Sequence, residues 1–293
     1  MNLENIYEKN YKKLMLISYA ILLISIVLAV MHVVKTGDPF NRDISLKGGV
    51  SATIYQEDLN FDDINNFLKQ NVKDYDVRKL TDPNTGKQTG LIIDVADINE
   101  AQLKDLLAKK IDIDYNNKAE YDANSTSQAF GTSFYKGLMI AVLFAFILMS
   151  IVVFISFRTF IPSIAVISAA LTDILAALAV INFLGIKLSA AGVVAFLLVI
   201  GYSIDTDILL TTRLLKRREE GPIYDRLKHS ITTGLTMTIA AIAALTTGYF
   251  IAISDQLRQI FLVIVIALFF DIIATYFGNA GILIWYCKKH NIT

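Results

Sequence analysis

Of 293 residues, 54% are hydrophobic and 18% charged; the formal net charge is zero and the mean hydropathy is +0.51. This composition excludes an ordinary soluble domain, and the balanced charge offers no basis for nucleic-acid binding. The single cysteine, Cys287, rules out an intrachain disulfide and a thiolate metal cluster, and His32, His229 and His290 are too scattered to read as a zinc site, so no metal is expected.

Residues 1–13 are polar, with Lys9, Lys12 and Lys13. Leu14 to Val34 carries no charge and is roughly 21 residues long, enough for a helix to cross a ~30 Å hydrocarbon core. A signal peptide would have a shorter apolar run and a small-x-small cleavage site. Here the run ends in Met31, His32 and Val33, so residues 14–34 read as an uncleaved first span. Residues 35–136 are the one long polar stretch, of a size for one small domain. Val50–Ala52–Ile54 alternates as a strand opened by Gly48–Gly49. Phe61, Ile64, Phe67 and Leu68 have helical spacing, with Asn60 or Asp62 as cap. Val72–Leu80 reads as a strand, Asp82–Pro83–Asn84–Thr85–Gly86 as a turn, Leu91–Val95 as a strand and Ala101–Leu107 as a helix capped by Asn99. Ile111–Ile113–Tyr115 alternates as the last strand. The order β-α-β-β-α-β predicts a ferredoxin-like split unit. Asp62, Asp63, Asp74 and Asp76 read as solvated surface, and Asn124–Ser125–Thr126 fits a glycosylation sequon, a match that arises often by chance.

Residues 137–286 predict five further spans, at 137–157, 162–184, 188–212, 229–253 and 259–286, followed by a short tail at 287–293. The fold expected is an α-helical polytopic membrane protein with six transmembrane helices and one extracytoplasmic α+β ferredoxin-like domain. Lys9, Lys12, Lys13, Arg158, Arg213, Lys216, Arg217, Arg218, Arg226, Lys228, Lys288 and Lys289 all fall on one set of connections. The alternate short connections hold only Lys187 and Arg258. The positive-inside rule puts both termini in the cytoplasm and residues 35–136 outside.

Four carboxylates lie within these spans: Asp173, Asp205, Asp207 and Asp271. An ionisable group at the bilayer centre costs about 2.5–3.5 kcal/mol on insertion scales and marks a functional site by default. Asp205 and Asp207, two apart, point to nearly opposite helix faces. Arg213, Lys228 and His229 are the nearest expected charge partners. Asp173 and Asp271 have no cation at their depth, and all four acids, Asp173, Asp205, Asp207 and Asp271, are candidates for a proton relay. Thr232, Thr233, Thr236 and Thr238 read as helix-packing glue, Tyr202 as packing, and Lys216–Arg218 as a topology determinant.

Four stretches carry a family resemblance: Leu46–Lys47–Gly48–Gly49, Phe157–Arg158 followed by Ala170–Leu171–Thr172–Asp173, Gly201–Tyr202–Ser203–Ile204, and Lys228–His229–Ser230–Ile231–Thr232–Thr233. With the order of one span, an external domain and five spans, they resemble the SecF family, accessory subunits of the Sec protein translocase, over essentially the whole chain. After Gly-Tyr-Ser-Ile the bacterial pattern runs Asn-Asp-Thr, where this chain has Asp205–Thr206–Asp207. In that register Asp205 falls where the sister subunit SecD has its acid and Thr206 where bacterial SecF has its own. His229 stands in place of an arginine, and Asp271 has no matched counterpart. These departures resemble the archaeal branch, which lacks the cytoplasmic ATPase motor.

The resemblance implies a resistance-nodulation-division-like membrane half that pairs with SecD about a pseudo-twofold, with Gly201, Tyr202 and Ser203 as signature and helix-packing residues. It implies partners in a SecYE-type translocon and emerging preprotein, and protein export coupled to the proton-motive force, with no cofactor beyond protons. A non-conducting scaffold or chaperone-like subunit that stabilises the translocon stays open. An intramembrane aspartyl protease ranks last because its Gly-x-Gly-Asp and Tyr-Asp motifs do not occur within the predicted membrane spans, and a small-molecule antiporter is disfavoured by six spans with one external domain.

Overall fold

The computed structural model describes residues 3–82 and 85–292, and separates into two compact units, 42–139 and 1–41 with 140–293. The predicted turn at 82–86 includes Pro83 and Asn84, which lie outside the described residues.

The α+β unit begins with a short helix α2 (Ile44–Lys47), whose first amide is capped by Asp43 at 2.7 Å. It continues through β1 (Gly49–Ile54), α3 (Phe61–Asn71), β2 (Tyr75–Thr81), β3 (Gln88–Ala96), α4 (Glu100–Leu107) and β4 (Tyr121–Thr126). All sheet pairings are antiparallel, in the order β2-β3-β1-β4. Strand β3 is thus inserted between β1 and β2, the split βαβ arrangement. The register places Val50 opposite Val95, Ala52 opposite Ile93 and Ile54 opposite Leu91. These alternate residues line one face, which buries Ile64 and Leu68 of α3 and Leu103 and Leu107 of α4. Each fully buried Leu or Ile contributes about 1.5–3 kcal/mol. Asn60 caps α3 through Asp62 at 3.0 Å, and Asn99 forms a reciprocal capping box with Gln102.

The last strand departs from expectation. Ile111, Ile113 and Tyr115 pack on the core from a turn-rich loop, and the strand forms instead at Tyr121–Thr126, over the sequon. An edge strand half open to solvent needs only one apolar anchor, here Tyr121, so its polar sequence hides it. Asp74 and Asp76 are also engaged, with Lys47 at 2.6 Å and Arg78 at 3.5 Å.

Gly48 and Gly49 have positive φ, +89° and +146°. A Cβ at Gly49 would stand 2.2 Å from the Val95 carbonyl oxygen, and one at Gly48 would stand 2.5 Å from Gln128 Cα. Gly131 in turn meets the Gly48 amide nitrogen at 2.7 Å from its would-be Cβ. Gly48 and Gly131 therefore bring the backbone entering the unit against the backbone leaving it, and Gly49 brings the start of β1 against β3.

The membrane unit holds α1 (Leu3–Thr36), α5 (Gln128–Phe157, whose first turns belong to the α+β unit), α6 (Phe160–Phe183), α7 (Ala190–Leu215), α8 (Ile223–Ile251) and a sixth span, Asp255–Lys289. The sixth span comprises α9 (Asp255–Ile273), a π-helical turn at Ala274–Asn279 and α10 (Ala280–Lys289). The six helices are long and apolar enough to cross a membrane. Helices α6, α7 and α9 pack on one another; α8 lies on α7 and α9, and α1 on α6 and the π turn. Alanines of α6 (Ala165, Ala169, Ala170, Ala176 and Ala177) are buried, and such small residues let helices approach closely in lipid. Gln259 of α9 accepts from the Ser189 amide at 2.9 Å and donates to the Lys187 carbonyl at 2.8 Å, tying the α6–α7 connection to the sixth span.

The Gly49→Ala variant is expected to destabilise the α+β unit by about 1–3 kcal/mol. That lowers its thermal midpoint by roughly 4–8 °C per kcal/mol, read by circular dichroism on residues 42–139. Burial, and next the neighbouring Asp94 carboxylate, push the Asp43 carboxyl above its ordinary value, against the Ile44 amide and Arg78. Its contribution is fully present below the unfolded value and lost as pH rises through the folded one. Wild-type stability relative to Asp43→Asn should therefore rise as pH falls from 7 towards about 4, in urea unfolding across that range.

Candidate functional site: a buried carboxyl cluster

Three helices each deliver one acid to a common interior point. On α7, Ser203, Thr206, Asp207, Leu210, Thr211 and Leu214 are all buried. Their spacing of three and four marks one helical stripe. Asp205 falls off that stripe and is exposed, while Asp207 is fully buried. On α6, Asp173 is fully buried among the alanines; on α9, Asp271 is 1% exposed, one turn beyond Ala267 and Leu268.

The hydrogen bonds link the acids into one network. Ser203 Oγ donates to Asp173 Oδ2 at 2.5 Å. Thr206 Oγ1 lies 3.3 and 3.4 Å from the two Asp271 oxygens and donates to the Ser203 carbonyl at 2.8 Å. Thr275 Oγ1 stands 2.9 Å from Asp207 Oδ1 and 3.2 Å from Asp271 Oδ1. Asn279 Nδ2 donates to Asp207 Oδ1 at 2.8 Å. Asp173 and Asp271 interact side chain to side chain. The outer oxygens, Asp173 Oδ1 and Asp207 Oδ2, accept no hydrogen bond.

The π turn aligns the donors. Its Ala280 amide bonds to the Thr275 carbonyl, five residues back. The wider turn puts residues four apart on nearly the same side, so Asp271, Thr275 and Asn279 all face α7. Helix α1 seats the turn: Tyr7 donates to the Tyr276 carbonyl at 2.9 Å, and a Cβ at Gly278 would stand 2.5 Å from Ser18 Oγ.

The expected cations do not reach the acids. Arg213 donates to Thr233 Oγ1 at 3.2 Å, Lys228 and His229 are exposed, and no ion pair to the four aspartates occurs among the described residues. Arg213 points toward α8 because its own stripe on α7 differs from that of Asp207. Gly201 is exposed, with open space where a Cβ would stand, so none of the described residues packs on it there. With Tyr202 and Asp205 it lines an open groove of about 580 Å³ between α7, α8 and α9. Tyr202 donates across that groove to the Met237 carbonyl at 3.1 Å. Thr232 and Thr236 bond to carbonyls four residues back on their own helix rather than to another. Thr275 and Asn279 were not expected at the site; the signal lies in the spacing of 271, 275 and 279, polar positions four apart in an apolar run. No cluster of His, Cys, Asp and Glu suited to a metal occurs among the described residues.

The family model described as "Protein export membrane protein SecD/SecF, C-terminal" matches residues 107–289. The chain is 33% identical over 276 residues to the protein-export membrane protein SecF of Thermococcus gammatolerans, covering 94% of this chain and 85% of that one. The chain belongs to the SecF family. It is 34% identical over 288 residues to the SecF of Methanolacinia petrolearia, covering 97% and 96% of the two chains. To the SecF of Methanocaldococcus jannaschii it is 36% identical over 292 residues, covering 96% and 98%. Among solved structures, SecDF, a translocon-associated membrane protein of a Thermus species, superposes with a TM-score of 0.70 at 18% identity. That match covers 94% of this chain and 38% of the longer one, and shows a shared fold. The chain is thus a multi-pass membrane protein of the protein-export machinery.

Asn279→Ala and Thr275→Val each remove a donor from a buried carboxyl and are expected to lower stability by about 1–3 kcal/mol. Asp205→Asn should stay within ~0.5 kcal/mol of wild type. Thermal unfolding of the detergent-solubilised protein measures both.

Proposed function

We propose that this chain is a non-enzymatic coupling subunit that acts with a SecD-type partner on a SecYE-type translocon, using proton uptake at Asp173, Asp207 and Asp271 to assist preprotein export. The observation that carries the reading is the cluster itself, three buried acids on three helices with no cation paired to them among the described residues. Buried carboxylates this close cannot all be charged, and protons are the neutralising species at hand. Thr206 has one hydroxyl hydrogen and spends it on the Ser203 carbonyl, so its contact with Asp271 closes when Asp271 supplies a proton. Thr275 likewise has one hydrogen for two carboxyls, and a proton moving among Asp207, Thr275 and Asp271 would switch which helix pair is bonded. Moving one charge across 100 mV provides about 2.3 kcal/mol, enough to shift a two-state equilibrium roughly 50-fold.

The orientation with both termini cytoplasmic rests on the Lys and Arg distribution, and the SecD-type partner on the SecDF fold likeness and the exposed Gly201 groove. In vesicles carrying translocon and partner, Asp173→Asn, Asp207→Asn and Asp271→Asn should each abolish the gradient-dependent increment of export, while Asp205→Asn retains it. Export assistance that survives both these substitutions and collapse of the gradient by ionophore would instead identify a scaffold.

A further inference from the structure

Two Asn-x-Ser/Thr triplets occur in the chain, Asn124–Ser125–Thr126 on β4 and Asn291–Ile292–Thr293 in the tail. The fold and the charge distribution separate them. Strand β4 ends the sheet: it pairs with β1 on one side and, among the described residues, with no strand on the other. Its alternation turns Tyr121 and Ala123 to the helix-covered core and Asp122, Asn124 and Thr126 to the open face. Asn124 is exposed there. Its cross-strand neighbour Ser51 gives its one hydroxyl hydrogen to Asp94, and no hydrogen bond to the Asn124 side chain forms among the described residues. Thr126 lies opposite Gly49, which has no side chain to cover it. The acceptor amide and the hydroxyl two residues on thus share one open face of an edge strand. The tail triplet falls on the other side of the membrane, since the Lys and Arg distribution puts residues 35–136 outside and the tail in the cytoplasm.

Resting on that orientation, we propose that Asn124 is a glycosylation site, whose co-substrate is an oligosaccharide linked to a polyisoprenyl phosphate at the outer membrane face. The Asn124 amide nitrogen bonds to C1 of the first sugar as the bond from C1 to the phosphate oxygen breaks. The lipid phosphate leaves with the bonding pair, and the amide gives one proton to a base of the transferase. The free edge of β4 presents unpaired N–H and C=O groups, a template for any extended chain. A bulky, hydrated glycan beside that edge bars such pairing, which suits a domain that faces unfolded exported chains.

Glycopeptide mass spectrometry of the chain purified from the membranes of its own host tests the site. The peptide holding Asn124 is expected to carry a ladder of sugar mass increments on that residue, while Asn291 stays bare. The increments should be lost in Asn124→Gln and in Thr126→Ala, and kept in Ser125→Ala and in Thr126→Ser. A bare Asn124 overturns the proposal, as does a glycan that survives Thr126→Ala. A Glu57→Cys variant separates the two causes, because Glu57 is exposed and the native Cys287 is buried. Labelling by a membrane-impermeant maleimide in intact cells leaves the orientation standing and removes Asn124 alone. Absence of labelling, or a glycan on Asn291 instead, overturns the orientation as well.

Discussion

The membrane unit is organised by the cost of placing three carboxyl groups at one interior point with no cation paired to them among the described residues. Everything adjacent serves to make that point tolerable. The alanines of α6 let three helices close on it, Ser203 and Thr206 line its α7 wall, and Thr275 and Asn279 reach it from the sixth span. In lipid such groups have no water to fall back on, so each hydroxyl and amide must be aimed. A site with fewer hydrogens than acceptors is one whose arrangement follows its proton count. That property distinguishes it from a salt bridge, whose geometry is fixed by its own charges.

The α+β unit follows a different logic. Its stability comes from ordinary burial of alternate strand residues under two capped helices. Its boundary condition is steric: Gly48 and Gly131 let two backbone segments touch where the chain enters and leaves, and Gly49 lets β1 begin tight against β3. The polar sheet face carries charge pairing instead, with Ser51 and Arg78 both engaging Asp94.

Much of this was legible in sequence because the signals are periodic. The spans show as long uncharged runs, strand β1 as period-two alternation and β3 as a short, mostly apolar run. The caps Asn60 and Asn99 sit where the helical period begins. The two-residue spacing of Asp205 and Asp207 already implied that they part company. What escaped was non-periodic or three-dimensional. Strand β4 is polar because an edge needs one anchor, while Ile111 and Ile113 mimic a strand yet plug the core from a loop. Arg226 reads as one more loop cation, although packing of α7 against α8 buries it completely. Nothing in local spacing announced that Asp271 would join Asp173 and Asp207, since their meeting depends on how three helices cross.

The π turn also sets the angular phase of everything after it. One residue corresponds to about 100° of rotation in a regular helix. Were the segment 274–279 to close into plain α-helix at its present length, Leu283, Ile284 and Cys287 would swing out of the packed interior together with Asn279. The widened turn therefore acts as a vernier: it lets a single continuous helix match the carboxyl cluster at one depth and the bundle's end at another. Such a helix tolerates substitutions along its outer face far better than closure of the widened turn at unchanged length.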